Sequence, residues 1–163
     1  MATPASLRRP KTRKQRLHRG PQPLSVAFVC YGNACRSQMA EAWARHYRAG
    51  RVVAQSAGVH PLGEVTWETQ VVMAEKGVSL EGHYSKGLDA IDWKRVDAVV
   101  NMTPYPTGAL VPGFSGRRVT WKVADPFLEP VDFYRSIRDE VERRVRALIE
   151  ELRGSQSRVA EIL

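Results

Sequence analysis

Short apolar segments alternate with segments of helical periodicity along most of this 163-residue chain. Strand-like apolar runs occupy residues 24–30, 51–57, 96–102 and 117–123. Helical patterns occupy residues 37–49, 65–76 and about 131–153. Consecutive parallel strands need a crossover connection, usually a helix, so this alternation predicts a parallel sheet. We therefore predict a single-domain α/β three-layer sandwich, with a central parallel sheet of about four strands and helices on both faces.

Glycines indicate where the helices stop, and an aspartate indicates where the last helix begins. Gly50 and Gly77 are expected to stop the first two helices, because glycine readily adopts the left-handed conformation that follows a helix. Asp132 is expected to cap the last helix, since its side chain can accept from the free N–H groups there. Gly154 is expected to end that helix.

Residues 1–23 differ in composition from the rest of the chain. They contain seven Arg or Lys residues and no acid, so they carry most of the net charge of +8. We predict that residues 1–23 are a disordered basic tail and that residues 24–163 form the domain. A basic arm can contact nucleic acid or another polyanion, but we favour a solvated extension.

The composition also bears on where the protein works. No run is long enough for a membrane span, and the N-terminus lacks the apolar core of a secretory signal. The two cysteines are too few for a disulfide framework. None of the four histidines has metal-ligand spacing with them. We therefore expect a cytoplasmic protein without membrane contact, metal or cofactor.

A loop of mixed chemistry lies between the first predicted strand and the first predicted helix. It consists of the residues Cys30, Tyr31, Gly32, Asn33, Ala34, Cys35, Arg36 and Ser37. Loop N–H groups and a helix N-terminus together favour a bound anion. Arg36 adds a planar fork that can bind two oxygens of a phosphate-like group. This positive field favours a thiolate at Cys30, which indicates nucleophilic catalysis on an oxyanion.

The remaining loop residues fit the same interpretation. Gly32 and Asn33 tolerate the left-handed backbone conformation that a tight anion loop needs. The hydroxyl of Ser37 can donate to the sulfur of Cys30 and so favour the thiolate. Residues 31–37 are therefore our predicted phosphate-binding loop.

Residues 30–41 resemble the signature of the low-molecular-weight protein tyrosine phosphatases and the related arsenate reductases. The likeness extends to residues 56–58, 77–83 and 125–126, and it covers essentially residues 24–153. It implies a low-molecular-weight phosphatase-like fold, with Cys30 as the nucleophile and Arg36 as the phosphate clamp. Ser37 would stabilise the thiolate.

The resemblance also suggests the other site residues. Asp125, which precedes Pro126, would protonate the leaving oxygen and then activate the hydrolytic water. From the residues alone, Asp125 could equally begin a turn, and other aspartates are rivals of equal standing: Asp89, Asp92, Asp97 and Asp132. The resemblance further implies that Ser56 and His83 hold Asn33 through a hydrogen-bond network.

Two interpretations remain open for Cys35. Oxidised Cys30 could form a disulfide with Cys35, which would protect the nucleophile. Alternatively, Cys35 is a small side chain packed beneath the loop. The sequence does not decide between them.

We predict a cysteine-dependent phosphomonoesterase that acts on protein tyrosine phosphate or a small aryl phosphate. Tyr31 and Phe127 could flank the aryl group. An arsenate reductase is the alternative, because Gln38 is typical of the reductases in this superfamily. With no cysteine after Cys35, such a reductase would need an external thiol or a glutaredoxin-like partner. A non-catalytic phosphate-binding module is a third hypothesis, but binding alone requires neither Cys30 nor Asp125.

Overall fold

The computed structural model describes residues 22–47 and 51–162. The predicted disordered tail therefore lies outside the described residues except for its last two positions, and so does the predicted helix stop at Gly50. Within the described residues, no helix is both long and apolar enough to cross a membrane.

Four parallel strands form one sheet in the order β2-β1-β3-β4. The strands are β1 (Leu24–Cys30), β2 (Val52–Gly58), β3 (Ala98–Asn101) and β4 (Arg117–Thr120). The predicted α/β class with a four-stranded parallel sheet is confirmed. β3 and β4 are shorter than predicted because strand pairing covers residues 98–101 and 117–120, although the flanking residues include apolar ones.

Helices and two 3-10 turns connect and follow the strands. The helices are α1 (Arg36–Tyr47), α2 (Trp67–Ala74), α3 (Thr107–Leu110) and α4 (Val131–Ile162), and the turns are Leu88–Ala90 and Trp93–Arg95. α2 begins after Thr66, whose side chain accepts a hydrogen bond from the N–H of Thr69 and caps the helix.

The two faces of the sheet carry different layers. Side chains alternate along β1, so that Val26 and Phe28 enter one core and Ala27 and Val29 the other. The first core is closed by apolar residues of α1, α2 and α4. The second is closed by residues of the two 3-10 turns and of the segment that contains α3. The sandwich has helical structure on both faces, but its second layer is thin.

The last helix begins at Val131 as predicted, but its C-terminal end and its capping residue differ from the prediction. α4 continues through Gly154 to Ile162, since a glycine ends a helix only where the backbone turns left-handed, and Gly154 does not. Asp132 lies inside the first turn, because the hydrogen bond from the Phe133 N–H to the Pro130 carbonyl already belongs to the helix start. Its predicted role as the N-cap is therefore wrong.

The topology places the end of β1 at the centre of one edge of the sheet. β1 pairs with β2 on one side and with β3 on the other, so the chain reverses direction across the sheet after β2. Ligands of open parallel sheets bind at the carboxyl ends of the strands near such a switch point. Cys30 is the last residue of β1 and lies there.

Candidate active site

The loop from Cys30 to the start of α1 encloses a set of unpaired backbone donors. The N–H groups of residues 33–37 make no hydrogen bond to any described residue. The first bond of α1 runs from the Met39 N–H to the Cys35 carbonyl, at 2.9 Å. The N–H groups before Met39 are therefore available to a ligand, and they lie at the positive end of the helix dipole.

Arg36 is buried and is held from one side by two loops. Its Nη1 donates to the carbonyl oxygens of Met102 (3.1 Å) and Val123 (3.0 Å). Its Nη2 donates to Asp125 Oδ2 at 2.9 Å. Its Nε is buried and has no hydrogen-bond acceptor among the described residues. A buried donor of this kind is costly unless a ligand accepts from it, so the Nε edge is suited to an oxyanion.

A second set of contacts orients the hydroxyl beside the thiol. Ser37 Oγ lies 2.9 Å from Cys30 Sγ. Asn33 Nδ2 donates to Ser37 Oγ at 2.8 Å and to Ser56 Oγ at 2.9 Å, which uses both of its hydrogens. Ser37 Oγ is therefore an acceptor towards Asn33, which leaves its own hydrogen for Cys30. We assign the direction of this bond from the donor count, and in this direction it stabilises a thiolate.

Asn33 adopts a left-handed conformation, with φ 48°, at the centre of the loop. Its Oδ1 accepts from Gln38 Nε2 (3.0 Å) and from the Lys86 backbone N–H (2.9 Å). Gly58 of the neighbouring strand lies directly against its backbone. Strained backbone persists only where its surroundings determine it, and here four polar contacts to the Asn33 side chain and a close neighbouring strand do so.

The Gly58→Ala substitution is expected to displace the loop. An added Cβ would lie 2.7 Å from Asn33 N and 2.9 Å from Asn33 Cβ, so the backbone itself would have to move. We expect a loss of about 1–3 kcal/mol in the free energy of unfolding and a loss of phosphate binding. Denaturation and phosphate titration measure these two effects. Gly154→Ala is the matched control, since nothing lies near its added Cβ, and normal phosphate binding by Gly58→Ala would contradict the expectation.

His83 takes part in the brace around Asn33, by which we mean the hydrogen-bonded set of Gln38, Glu41, Ser56, His83 and Lys86. Its Nδ1 lies 2.9 Å from Gln38 Oε1, and Gln38 Nε2 donates to Asn33. Gln38 therefore stands between His83 and Asn33, whereas Ser56 bonds Asn33 directly. The hydrogen-bond network around Asn33 therefore reaches His83 through Gln38, because the buried Gln38 side chain is long enough to bridge the two residues.

The brace determines the tautomer of His83. Because Gln38 Oε1 can only accept, His83 Nδ1 carries the hydrogen. Arg45 Nη1 lies 3.5 Å from the other ring nitrogen. Burial lowers the pKa of His83, and the cations of Arg45 and Lys86 lower it further against the opposing effect of Glu41. His83 is therefore neutral around pH 7.

A small cavity of about 90 Å³ opens above Cys30. Its lining consists of Cys30, Tyr31, Gly32, Ala34, Cys35, Arg36, Leu62, Asp125 and Phe127. Tyr31, Leu62 and Phe127 are partly exposed and give it apolar walls. Asp125 Oδ1 accepts from the Phe127 N–H at 3.1 Å, so the acid and the aromatic wall belong to one turn.

The rival aspartates lie in other places. Asp89 and Asp97 line a separate groove beside the thin layer. Asp92 pairs with Arg95, and Asp132 pairs with an arginine one turn further along α4. Of the five aspartates considered from the sequence, Asp125 is the one that lines the cavity with Cys30.

Cys35 is buried, and it is not disulfide-bonded. Its sulfur lies 3.4 Å from Thr66 Oγ1 and donates to the Tyr134 hydroxyl at 3.8 Å. Burial raises the pKa of the Cys35 thiol, so the protonated form is favoured. In this state Cys35 links the loop to the start of α2 and to α4.

Three residues of this site were given no place in the brace by the sequence reasoning. Gln38 was used only for its likeness to the reductases, and Glu41 and Lys86 were not singled out. The signal available in the sequence for two of them was a polar or charged residue among apolar neighbours in α1. The structure shows that both of these residues, Gln38 and Glu41, are buried. Buried polar residues of this kind are uncommon unless they are paired.

Comparison with known proteins agrees with this geometry. Residues 25–158 match the family model of the low molecular weight phosphotyrosine protein phosphatases. The chain belongs to this family.

Relatives in this family carry different activities. A protein-arginine-phosphatase of Geobacillus stearothermophilus is 33% identical over 150 residues, covering 82% of this chain and 99% of its own. An arsenate reductase of Bacillus cereus (strain Q1) is 31% identical, covering 77% and 94%. The solved structure of an arsenate reductase in the phosphate binding state is 28% identical, with a TM-score of 0.71, and covers 78% of this chain and 98% of its own. The chain is thus similar to phosphatases and to arsenate reductases.

Proposed function

We propose that this protein is a cysteine-dependent phosphatase that hydrolyses phosphate monoesters through a phospho-cysteine intermediate. The observation that carries the proposal is the convergence of unpaired donors on one thiol. The N–H groups of residues 33–37 and the buried Arg36 Nε lack acceptors among the described residues, and of these residues Ala34, Cys35 and Arg36 line the cavity together with Cys30. Binding alone would not require a thiol there.

In the proposed first step, the phosphate dianion takes the place of the Asp125 carboxylate on Arg36. The Arg36 Nε and Nη2 then bind two phosphate oxygens, and the loop N–H groups bind the others. Asp125 is released from its ion pair and can carry a proton. The Cys30 thiolate attacks phosphorus, the bond from phosphorus to the ester oxygen breaks, and Asp125 gives its proton to that oxygen.

The second step regenerates the thiolate. Asp125, now a carboxylate, takes a proton from a water molecule as the water attacks phosphorus. The phosphorus–sulfur bond breaks, inorganic phosphate leaves, and Cys30 returns as a thiolate. The Ser37 hydroxyl donates to the Cys30 sulfur before the attack and after phosphate release, when the negative charge on the sulfur is greatest.

We infer that the substrate is an aryl phosphate, as in protein tyrosine phosphate. The cavity walls of Tyr31, Leu62 and Phe127 suit a flat apolar leaving group. A phosphorylated arginine would place a cationic guanidinium there, and Asp125 is the single acid in the lining. Because Asp125 transfers the proton, the cavity lining has no other acid that could pair with a guanidinium.

Arsenate reduction is the second candidate, because arsenate has the shape and charge of phosphate and would meet the same donors. Relatives that are named arsenate reductases support it. Cys30 and Cys35 are the two cysteines of the sequence. A reductase built on this chain would therefore take electrons from an external thiol or a glutaredoxin-like partner.

One set of assays tests the proposal. The purified protein is given p-nitrophenyl phosphate, a phosphotyrosine peptide, a phosphoarginine peptide, and arsenate with glutathione and glutaredoxin. We expect phosphate release from the first two, with the highest kcat/KM among the peptides for phosphotyrosine. Release mainly from phosphoarginine would overturn the substrate assignment. Arsenate reduction without any phosphate release would replace the proposed function with the second candidate.

The apolar wall is expected to contribute to binding of the aryl group. Phe127→Ala should raise the KM for p-nitrophenyl phosphate by about tenfold, since losing contact with one aromatic face costs roughly 1–1.5 kcal/mol. Steady-state kinetics on glycerol phosphate is the control, because that substrate has no ring and its KM should not change. An equal rise in KM for both substrates would mean that Phe127 does not contact the leaving group.

A further inference from the structure

Lys86 contacts the residues around Asn33 both through its backbone and through its side chain. Its backbone N–H donates to Asn33 Oδ1 at 2.9 Å. Its ammonium Nζ lies 3.5 Å from Ser56 Oγ, 3.4 Å from the Tyr84 carbonyl oxygen and 3.8 Å from Glu41 Oε2. The side chain is 17% exposed, which is low for a lysine. Lys86 is therefore a cation held inside the structure rather than a solvated surface charge.

The partner of this cation is the buried carboxylate of Glu41, whose side chain is 4% exposed. Its Oε2 accepts from the Ser56 hydroxyl, and its Oε1 pairs with Arg45. A carboxylate buried this deeply needs compensation by charge and hydrogen bonds. Arg45 is half exposed and so is screened by water, whereas Lys86 acts from within the protein.

The hydrogen-bond directions connect Glu41 to the thiol. Because Ser56 Oγ accepts from Asn33, its single hydrogen goes to Glu41. By accepting the Ser56 hydrogen, Glu41 leaves the Ser56 oxygen free to accept one hydrogen of Asn33. The other hydrogen of Asn33 goes to Ser37, which donates to Cys30.

The ionisable residues around this chain of hydrogen bonds carry a net positive charge. Glu41 is an anion, Arg45 and Lys86 are cations, and His83 is neutral, so the cluster carries one net positive charge. Burial lowers the pKa of Lys86, against an opposing effect of Glu41 and with a further lowering by Arg45. On the cavity side, the charged groups that face Cys30 are Arg36 and Asp125, which form a neutral pair.

We propose that Lys86 is a positioning residue that, through Glu41, Ser56 and Asn33, holds the loop in its thiolate-stabilising form and supplies the net positive charge behind it. The proposal rests on the proposed function of Cys30 as the nucleophile. It goes further, because it assigns the charge state of Cys30 partly to a residue outside the loop and the cavity lining.

The test follows the pH dependence of Cys30 alkylation by iodoacetamide, read by mass spectrometry of the Cys30 peptide. Lys86→Met should move the midpoint to higher pH by about one unit, the order expected for one charge acting across a protein interior. Lys86→Arg keeps the charge and should restore the midpoint. Glu41→Gln removes the anion while its amide oxygen can still accept from Ser56 and so keep the loop in place, and it should therefore move the midpoint to lower pH.

Opposite shifts separate this role from a merely structural one. Damage to the loop would move the midpoint the same way in Lys86→Met and Glu41→Gln, and would overturn the proposal. An unchanged midpoint in Lys86→Met, or equal shifts in Lys86→Met and Lys86→Arg, would also overturn it. Lys94→Met is the matched control, since Lys94 is exposed and lines the distant groove. If Lys86→Met does not fold, the direction of the shift in Glu41→Gln and the midpoint of Lys86→Arg still decide.

The alkylation measurement also keeps this proposal apart from the proposed function. A wild-type protein that releases no phosphate would refute the phosphatase assignment and leave the alkylation midpoints as they are. Where the phosphatase is active, kcat/KM of Lys86→Met should fall at low pH and approach the wild-type value at high pH. A loss of equal size at every pH would count against the proposal.

Discussion

Cys30→Ser is expected to abolish phosphate release from aryl phosphates, with a loss of at least about 10⁴-fold in kcat. A serine hydroxyl at this position remains neutral, because the site offers donors that stabilise an anion but no base beside residue 30. Ser37, the neighbour of the Cys30 sulfur, directs its own hydrogen to that sulfur, and its neutral hydroxyl is too weak a base to deprotonate a new hydroxyl. Release of p-nitrophenol measures the effect.

Phosphate binding is the control for Cys30→Ser. The Arg36 edge and the loop N–H groups do not involve the sulfur, so the variant should still bind inorganic phosphate and unfold at a similar temperature. In the wild-type protein, rapid acid quenching during turnover should leave one phosphoryl group on the Cys30 peptide. Turnover by Cys30→Ser at the wild-type rate, or a phosphoryl group on another residue, would refute the mechanism.

Asp125→Asn is expected to lower kcat by about 10²–10³-fold on phenyl phosphate. The single amide oxygen of asparagine can still accept from the Phe127 N–H, so the turn should keep its shape, but the bond from Arg36 is lost and the amide has no proton to transfer. The loss should be smaller on p-nitrophenyl phosphate, because nitrophenolate leaves readily without a proton. Steady-state rates on the two substrates give this comparison.

Two further readouts make the Asp125 prediction specific. The decline of kcat towards alkaline pH, where a general acid loses its proton, should disappear in Asp125→Asn. Asp132→Asn serves as the control, since Asp132 is exposed on α4 and pairs with Arg135. An equal loss on phenyl and p-nitrophenyl phosphate would argue that Asp125 only positions Arg36 and transfers no proton.

Local patterns were enough to predict most of the fold. The alternation of apolar and helical segments defined the four strands, because each strand and helix buries a face through its own periodicity. Element ends were less predictable. Gly154 reads as a helix stop in isolation, yet α4 passes through it, since a single glycine in a helix costs only about 1 kcal/mol.

The candidate site was predictable where its residues are neighbours in sequence. Residues 30–37 lie on one loop, so the thiol, the guanidinium and the hydroxyl had to meet there. Asp125 could not be told from four other aspartates by the residues alone, and only the resemblance to a known family selected it. The structure then placed it on Arg36, 89 positions away in the chain.

The sequence by itself determined a strand–loop–helix segment with a thiol at its start, and so a candidate anion site, because backbone donors, a guanidinium and a thiol lie within eight consecutive residues. Only the tertiary structure decided how that loop is held. Gln38 separates His83 from Asn33, and Lys86 meets Glu41 from 45 positions away. The physical reason is that side-chain reach and burial depend on how the sheet brings distant segments together, and neither is encoded in the spacing of residues along the chain.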